Sequence, residues 1–301
     1  MWLILVFLSA IFMGVNDALK KVSFINNALI SVVFLNTIFC SLFLLPFLLF
    51  SYFCPNIINQ SHFFVPHITP ETHLLILLKS GLALCGWLLI DFAIKHLPLT
   101  IVAPVKASQP VFVILGAMLL FSEKLNTIQW FGVAFFILSF LFISTLDKNK
   151  ESRTKNSKWT LFLILGVLVN AICALFDKYL MVNYNQMAIF VWYNLYLTLL
   201  MSIIFTVKYL IRSTQRERFF WRWQILVVSL FICLSDFTYF YSLSCEGAMI
   251  SIASMIRRSG IIISFLLGAW FFHEKNLKRR AIGLILMLIS VILLFYGSMH
   301  T

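Results

Sequence analysis

Acidic side chains are scarce in this chain, 11 Asp and Glu among 301 residues, and charged residues of either sign make up 11%. A water-soluble globule of this length needs far more polar surface, so the sequence expects lipid as its solvent. Long polar stretches are few, which leaves no room for a soluble catalytic domain. The six cysteines, Cys40, Cys54, Cys85, Cys173, Cys233 and Cys245, stand singly in apolar segments without Cys-x-x-Cys or a histidine cluster. That pattern suits packing rather than metal or redox chemistry. No nucleotide-binding motif or catalytic triad is visible, so neither an enzyme activity nor a cofactor is expected. Met1 and Trp2 lead into an apolar run reaching Leu19 without the basic segment of a cleaved signal peptide, and that run is expected to be kept.

What the chain has is hydrophobicity: 61% apolar residues and a mean hydropathy of +0.97. Each bilayer crossing needs about 20 apolar residues. Apolar runs near residues 2–19, 28–53, 74–96, 98–121, 127–146, 159–182, 187–211, 223–244, 247–272 and 279–298 predict an all-α membrane protein of ten transmembrane helices. The stretch Cys54–His73, with Pro55, Pro66 and Pro70, reads as an irregular loop. The formal charge of +12 could suit nucleic acid, but the basic residues fall mostly in short loops, so no nucleic-acid partner is expected.

The strongly polar run 147–158 reads as a linker between residues 1–146 and 159–301. Across it, FSEKL recurs as FHEKN, pairing Glu123 and Lys124 with Glu274 and Lys275 at an offset of 151. The same offset pairs Ser108 with Ser259, Gly132 with Gly283 and Ser139 with Ser290. Matched polar residues and glycines in one frame predict two five-helix repeats. Because five is odd, the second repeat enters the bilayer from the opposite side, so the repeats are inverted, an architecture common among secondary transporters. One set of alternate loops holds Lys20, Lys21, Lys95, the linker, the cluster from Lys208 to Arg222 and the cluster from Lys275 to Arg280; the other has little beyond Lys79, Lys124 and Lys178. The positive-inside rule then sets both termini outside the cytoplasm, in a bacterial-type inner (plasma) membrane.

Several motifs occur in order: Gly14, Asn16 and Lys21 late in the first helix, DFAIKHLP closing the third, Ser108 and Pro110 in the fourth, and Glu123 and Gly132 around the entry to the fifth. With the five-plus-five repeat, they resemble the drug/metabolite transporter superfamily and its ten-helix EamA-type branch. Met13 replaces the tryptophan common before the first glycine, and Ile261 falls where a second-repeat equivalent of Pro110 would stand. Members of that superfamily share a fold while handling amino acids, nucleotide sugars, triose phosphates, cationic drugs and lipid-linked sugars. The resemblance therefore implies a transporter but no particular substrate.

Ionisable groups at membrane depth line a wet cavity or pair with each other. The 151 offset puts Lys106 on Arg257, both roughly 12 to 15 Å into their spans at 1.5 Å per residue, and Arg258 is adjacent. Two symmetry-related cations could receive a carboxylate or phosphate; they could equally be neutralised by Asp17, Asp91 or Asp236, or meet a lipid headgroup. Aligning FAIKHL with YSLSCE sets Trp87 in register with Asp236, and Asp91 lies one turn beyond Trp87. These acids are candidates for proton coupling or for charge pairing. Asn16, Trp87 and Tyr239 are candidate solute contacts, while Trp192, Tyr193, Asn194, Tyr196 and Tyr241 suit either a pocket or an interfacial belt. Asn170 and Lys178 in helix six are loosely comparable to Asn16 and Lys21, and this repetition suits residues that face the cavity or form its gates. Pro104 and Pro110 are expected to kink the fourth helix or gate it, and Glu123 and Glu274 to favour the starts of the fifth and tenth helices.

The expected function is secondary transport of a small polar metabolite, anionic or zwitterionic, by alternating access. A proton or other coupling ion could drive it, membrane lipid surrounds it, and the carrier is a monomer or homodimer. The rival readings are a lipid-linked-sugar flippase, an intramembrane enzyme acting on lipid phosphate, and a scaffold or sensor that transports nothing.

Overall fold

Apolar runs broken by polar clusters become helices because a backbone in lipid must satisfy its own hydrogen bonds. A computed structural model describes residues 1–24, 27–55, 63–96, 105, 106, 108–146, 157–211, 219–260, 262–264, 266, 267 and 277–299. Among them are ten helices and no strand: α1 (Trp2–Phe24), α2 (Leu29–Phe53), α3 (Pro70–His96), α4 (Gln109–Leu120), α5 (Thr127–Leu146), α6 (Ser157–Asn183), α7 (Gln186–Ile211), α8 (Gln224–Ser244), α9 (Ile250–Arg258) and α10 (Leu277–Met299). Seven of these, α1, α2, α3, α6, α7, α8 and α10, hold segments long and apolar enough to cross a membrane. The segments Gln109–Leu120 of α4 and Thr127–Ser139 of α5 are shorter, and α9 has nine residues. The expected spans 98–121 and 247–272 are thus longer than the helices found within them, and parts of both lie outside the described residues.

Helix ends show local chemistry that hydropathy misses. The expected loop from Cys54 to His73 stops earlier, because Pro70 opens α3, where its missing N–H is no loss, and the Thr72 N–H donates to Thr69 Oγ1 at 3.4 Å. Helix α5 begins with a reciprocal capping box: the Asn126 N–H donates to Gln129 Oε1 and the Gln129 N–H to Asn126 Oδ1, both at 2.8 Å.

The chain packs as two compact units, and these are not its two sequence halves. The first unit comprises Met1–Leu84 and Asp177–Glu246, the second Cys85–Phe176 and Gly247–Thr301, so α3 and α6 each contribute to both. In the first, small hydroxyl residues join the helices. Ser9 Oγ donates to the Ser235 carbonyl at 2.8 Å, and Ser235 Oγ returns the bond to the Ser9 carbonyl at 3.0 Å. Ser41 Oγ donates to the Asn194 carbonyl at 3.1 Å, tying α2 to α7. Small polar residues take this role in bilayers because lipid offers their groups no alternative partner. In the second unit, α5 and α10 cross at Gly132, whose carbonyl accepts from Ser290 Oγ at 2.7 Å. A Cβ at Gly132 would stand 2.8 Å from Leu294 Cγ, so the crossing requires glycine. Ile90, Ala93, Leu163 and Val167 form a buried core between α3 and α6, with Val105, Phe112 and Trp159 packed on it.

Candidate functional site

Within the second unit, α4 and α9 carry the same local feature at the same place in the repeat. At Ser108 the backbone N–H donates to the Val105 carbonyl at 3.2 Å, the hydroxyl donates to that same carbonyl at 2.7 Å, and the Val111 N–H donates to the Ser108 carbonyl at 3.0 Å. At Ser259 the three bonds recur with each residue shifted by 151: N–H to the Ile256 carbonyl at 3.0 Å, hydroxyl to the same atom at 2.6 Å, and the Ile262 N–H to the Ser259 carbonyl at 2.9 Å; here the Ser259 N–H is shared with the Met255 carbonyl at 3.1 Å. These backbone bonds run three residues back, alone at Ser108 and beside the four-back helical bond at Ser259. A tight turn of this kind inside a helical stretch marks a hinge or a strained position.

Lys106 stands two residues before the first turn, and Arg257 and Arg258 immediately before the second. Both arginines occupy the last turn of α9, where cations favour the helix dipole. All three are half-buried. The Arg258 guanidinium donates to Oε1 of the buried Gln109, the first residue of α4. This link brings the predicted cation cluster onto both turns. Pro110 is buried in the first turn of α4, where it removes no helix bond. It therefore marks the start of that helix and does not kink its interior. Pro104 lies outside the described residues, as does the side chain of Asp91.

Glu123 has a role that the sequence reading placed elsewhere. Its carboxylate accepts from the Ile250 N–H at 2.7 Å, the Ser251 N–H at 3.1 Å and the Ser251 hydroxyl. It caps α9, far along the chain, and not the neighbouring α5. Glu274 lies outside the described residues. Asn170, a residue of α6, lies against Gly86 of α3 so closely that a Cβ there would stand 2.6 Å from its Oδ1.

The remaining predicted residues divide between the units. Trp87 is half-buried on α3 in the second. Asn16, Asp17, Asp236 and Tyr239 belong to the first. Asn16 is buried, its Nδ2 donating to Asp17 Oδ1 at 3.4 Å, while its Oδ1 finds no hydrogen-bond donor among the described residues. A buried acceptor without a donor is costly unless another group supplies one. Asp17 is exposed and Asp236 half-buried. Tyr193, Asn194 and Tyr239 are buried within the packing, which is not a belt position. Trp192 and Tyr196 join His73, whose Nδ1 lies 2.9 Å from the Tyr196 hydroxyl.

One ion pair of the first unit escaped the sequence reading, which counted Lys79 as a loop charge. Lys79 lies inside α3 with its side chain 1% exposed, and its Nζ is 2.8 Å from Asp177 Oδ1 on α6. The ammonium also stands 3.3 Å from the centroid of the Tyr193 ring and 4.2 Å from that of Phe240. Lys178 is buried too and donates to the Leu243 carbonyl at 3.0 Å. The available signal was position: Lys79 falls near the middle of the apolar segment Pro70–Ile90.

The family model described as "EamA-like transporter family" matches residues 1–145 and 157–296. The chain belongs to the EamA-like transporter family. It is accordingly an integral multi-pass membrane protein, and the family points to a transporter rather than an enzyme. A solved crystal structure of a protein shares the EamA-like chain's fold with a TM-score of 0.72 at 9% sequence identity, covering 98% of each chain. No curated protein matches it.

Proposed function

We propose that this transporter carries a small polar solute with an anionic group, either an organic anion or a zwitterion, by alternating access. The observation that carries the proposal is the pair of equivalent turns at Ser108 and Ser259 with Lys106 and Arg257 beside them. Turns inside membrane helices loosen the backbone where a solute can be met, and transporters build their sites from such discontinuous helices. A guanidinium offers a fork to carboxylate or phosphate, and an ammonium a point charge. Lys106, Arg257 and Arg258 grip the acidic group, with Trp87 as an apolar wall. We place the carrier in an inner (plasma) membrane with both termini outside the cytoplasm.

A thermal-shift screen of the purified protein against water-soluble carboxylates, phosphates, amino acids and organic cations tests this. Stabilisation by at least one anion or zwitterion is expected, and Lys106→Ala and Arg257→Ala should each weaken it by about tenfold, the loss of one charge-assisted bond at 1.4 kcal/mol per decade. A ligand whose binding ignores both substitutions would refute the cation site. Stabilisation by organic cations alone would refute the anion reading, and stabilisation by a polyprenyl phosphate alone would point to a flippase.

A further inference from the structure

We propose that the Lys79–Asp177 pair is a proton-binding site, with Asp177 as the carboxylate that takes up and releases the proton. This rests on the carrier reading above and assigns its coupling ion. An ion pair far inside a membrane helix bundle is a poor way to gain stability, because removing both charges from water offsets most of their attraction. Intramembrane ionisable residues are by default functional. Here the frame of the repeat adds a second argument. The alignment that sets Trp87 in register with Asp236 puts Lys79 on Val228, so the lysine has no charged counterpart on α8, unlike Lys106 at the Ser108 turn, which falls on Arg257. It belongs to something that this carrier does once.

The geometry says which partner titrates. Lys79 is sealed, its side chain 1% exposed, between the Asp177 carboxylate and the faces of Tyr193 and Phe240, whereas the Asp177 side chain is 13% exposed. Asp177 is the more open of the two and Lys79 already holds its protons, so Asp177 is the partner that takes one up. In the step itself, a hydronium ion gives its proton to a carboxylate oxygen of Asp177. An O–H bond forms there, water leaves, Lys79 keeps its three protons, and the site gains one positive charge. The ammonium then retains the two rings but loses its counter-charge, so α6 is released from α3, α7 and α8 within the unit. Among the described residues, the charged and titratable groups on the elements that pack here include Lys178 on α6, held by the Leu243 carbonyl, Tyr193 on α7, Asp236 and Tyr239 on α8, and His73 earlier on α3. Asp236 lies one turn before Phe240 on the same face of α8, so it is the acid to be distinguished from Asp177.

The test is pH-difference infrared spectroscopy on the full chain in lipid vesicles, together with thermal unfolding as a function of pH. Acidification of the wild type is expected to produce the carbonyl band of a neutral carboxylic acid, which Asp177→Asn removes and Asp236→Asn keeps. Because the pair stabilises the fold only while Asp177 is charged, the wild-type unfolding midpoint should fall as pH falls, and Asp177→Asn should flatten that dependence. If Asp177→Asn does not fold, the charge-free double variant Lys79→Met with Asp177→Leu replaces it and should lack both the band and the slope. A band that survives in these variants, or an unchanged slope, overturns the proposal and leaves the pair a static clamp. Neither readout involves a solute. Failure here therefore leaves the Lys106 and Arg257 reading standing, and the reverse also holds.

Discussion

Lys79 is held by one carboxylate and two aromatic faces, and its removal leaves Asp177 as a charge inside the bundle. Taking away one partner of such a pair costs about 3–5 kcal/mol, whereas replacing both with apolar residues is close to neutral. Lys79→Met is therefore expected to lower the unfolding midpoint sharply, and Lys79→Met with Asp177→Leu to recover most of the loss. Two single losses that simply add in the double variant would deny the coupling. Glu123 invites a second test, because its carboxylate satisfies the first N–H groups of α9 from another part of the chain. Glu123→Ala should cost about 0.5–2 kcal/mol, the range for losing a cap. Hydrogen exchange should rise at Ile250 and Ser251 while the start of α5 is unchanged.

Among the elements, the order of the ten helices was legible because the sequence alternates long apolar runs with polar clusters. Their ends and their charges were less so. Hydropathy cannot see that Pro70 starts a helix, that Asn126 and Gln129 cap one, or that Ser108 and Ser259 tighten one. Lys79 read as a loop charge, since nothing local distinguishes a lysine shielded by distant Asp177, Tyr193 and Phe240 from one at an interface. The repeat frame paired Lys106 with Arg257, because matched polar residues stand out in a background of interchangeable leucines. It could not place the cap of α9, which depends on how the helices pack. Glycines test that packing. A Cβ at Gly166 of α6 would meet Ile90 Cγ1 at 2.8 Å and the Ile90 backbone nitrogen at 3.2 Å, whereas one at Gly81 of α3 meets nothing within 4 Å. Gly166→Ala should destabilise by about 1–3 kcal/mol through overpacking, and Gly81→Ala should not. Equal midpoints for the two variants would show that α3 and α6 do not approach this closely.

At the scale of the whole molecule, the distribution of the +12 charge predicts that the polar linker is cytoplasmic and both termini are not. Cys54, exposed just beyond α2, is expected on the non-cytoplasmic side. In a background lacking the other cysteines, intact cells should label Cys54 with a membrane-impermeant maleimide. A cysteine introduced in the linker by Ser152→Cys should label only after permeabilisation. The opposite pattern would invert the topology.

The reciprocal bonds between Ser9 and Ser235 also carry a consequence for biosynthesis. These residues lie 226 positions apart, and at roughly 5–20 residues per second the ribosome needs on the order of ten to forty-five seconds to make the second after the first. Until then α1 sits in the bilayer with Ser9 lacking its partner on α8. The first repeat made alone should insert but stay loosely packed and open to proteolysis, and co-expression of the second repeat should protect it.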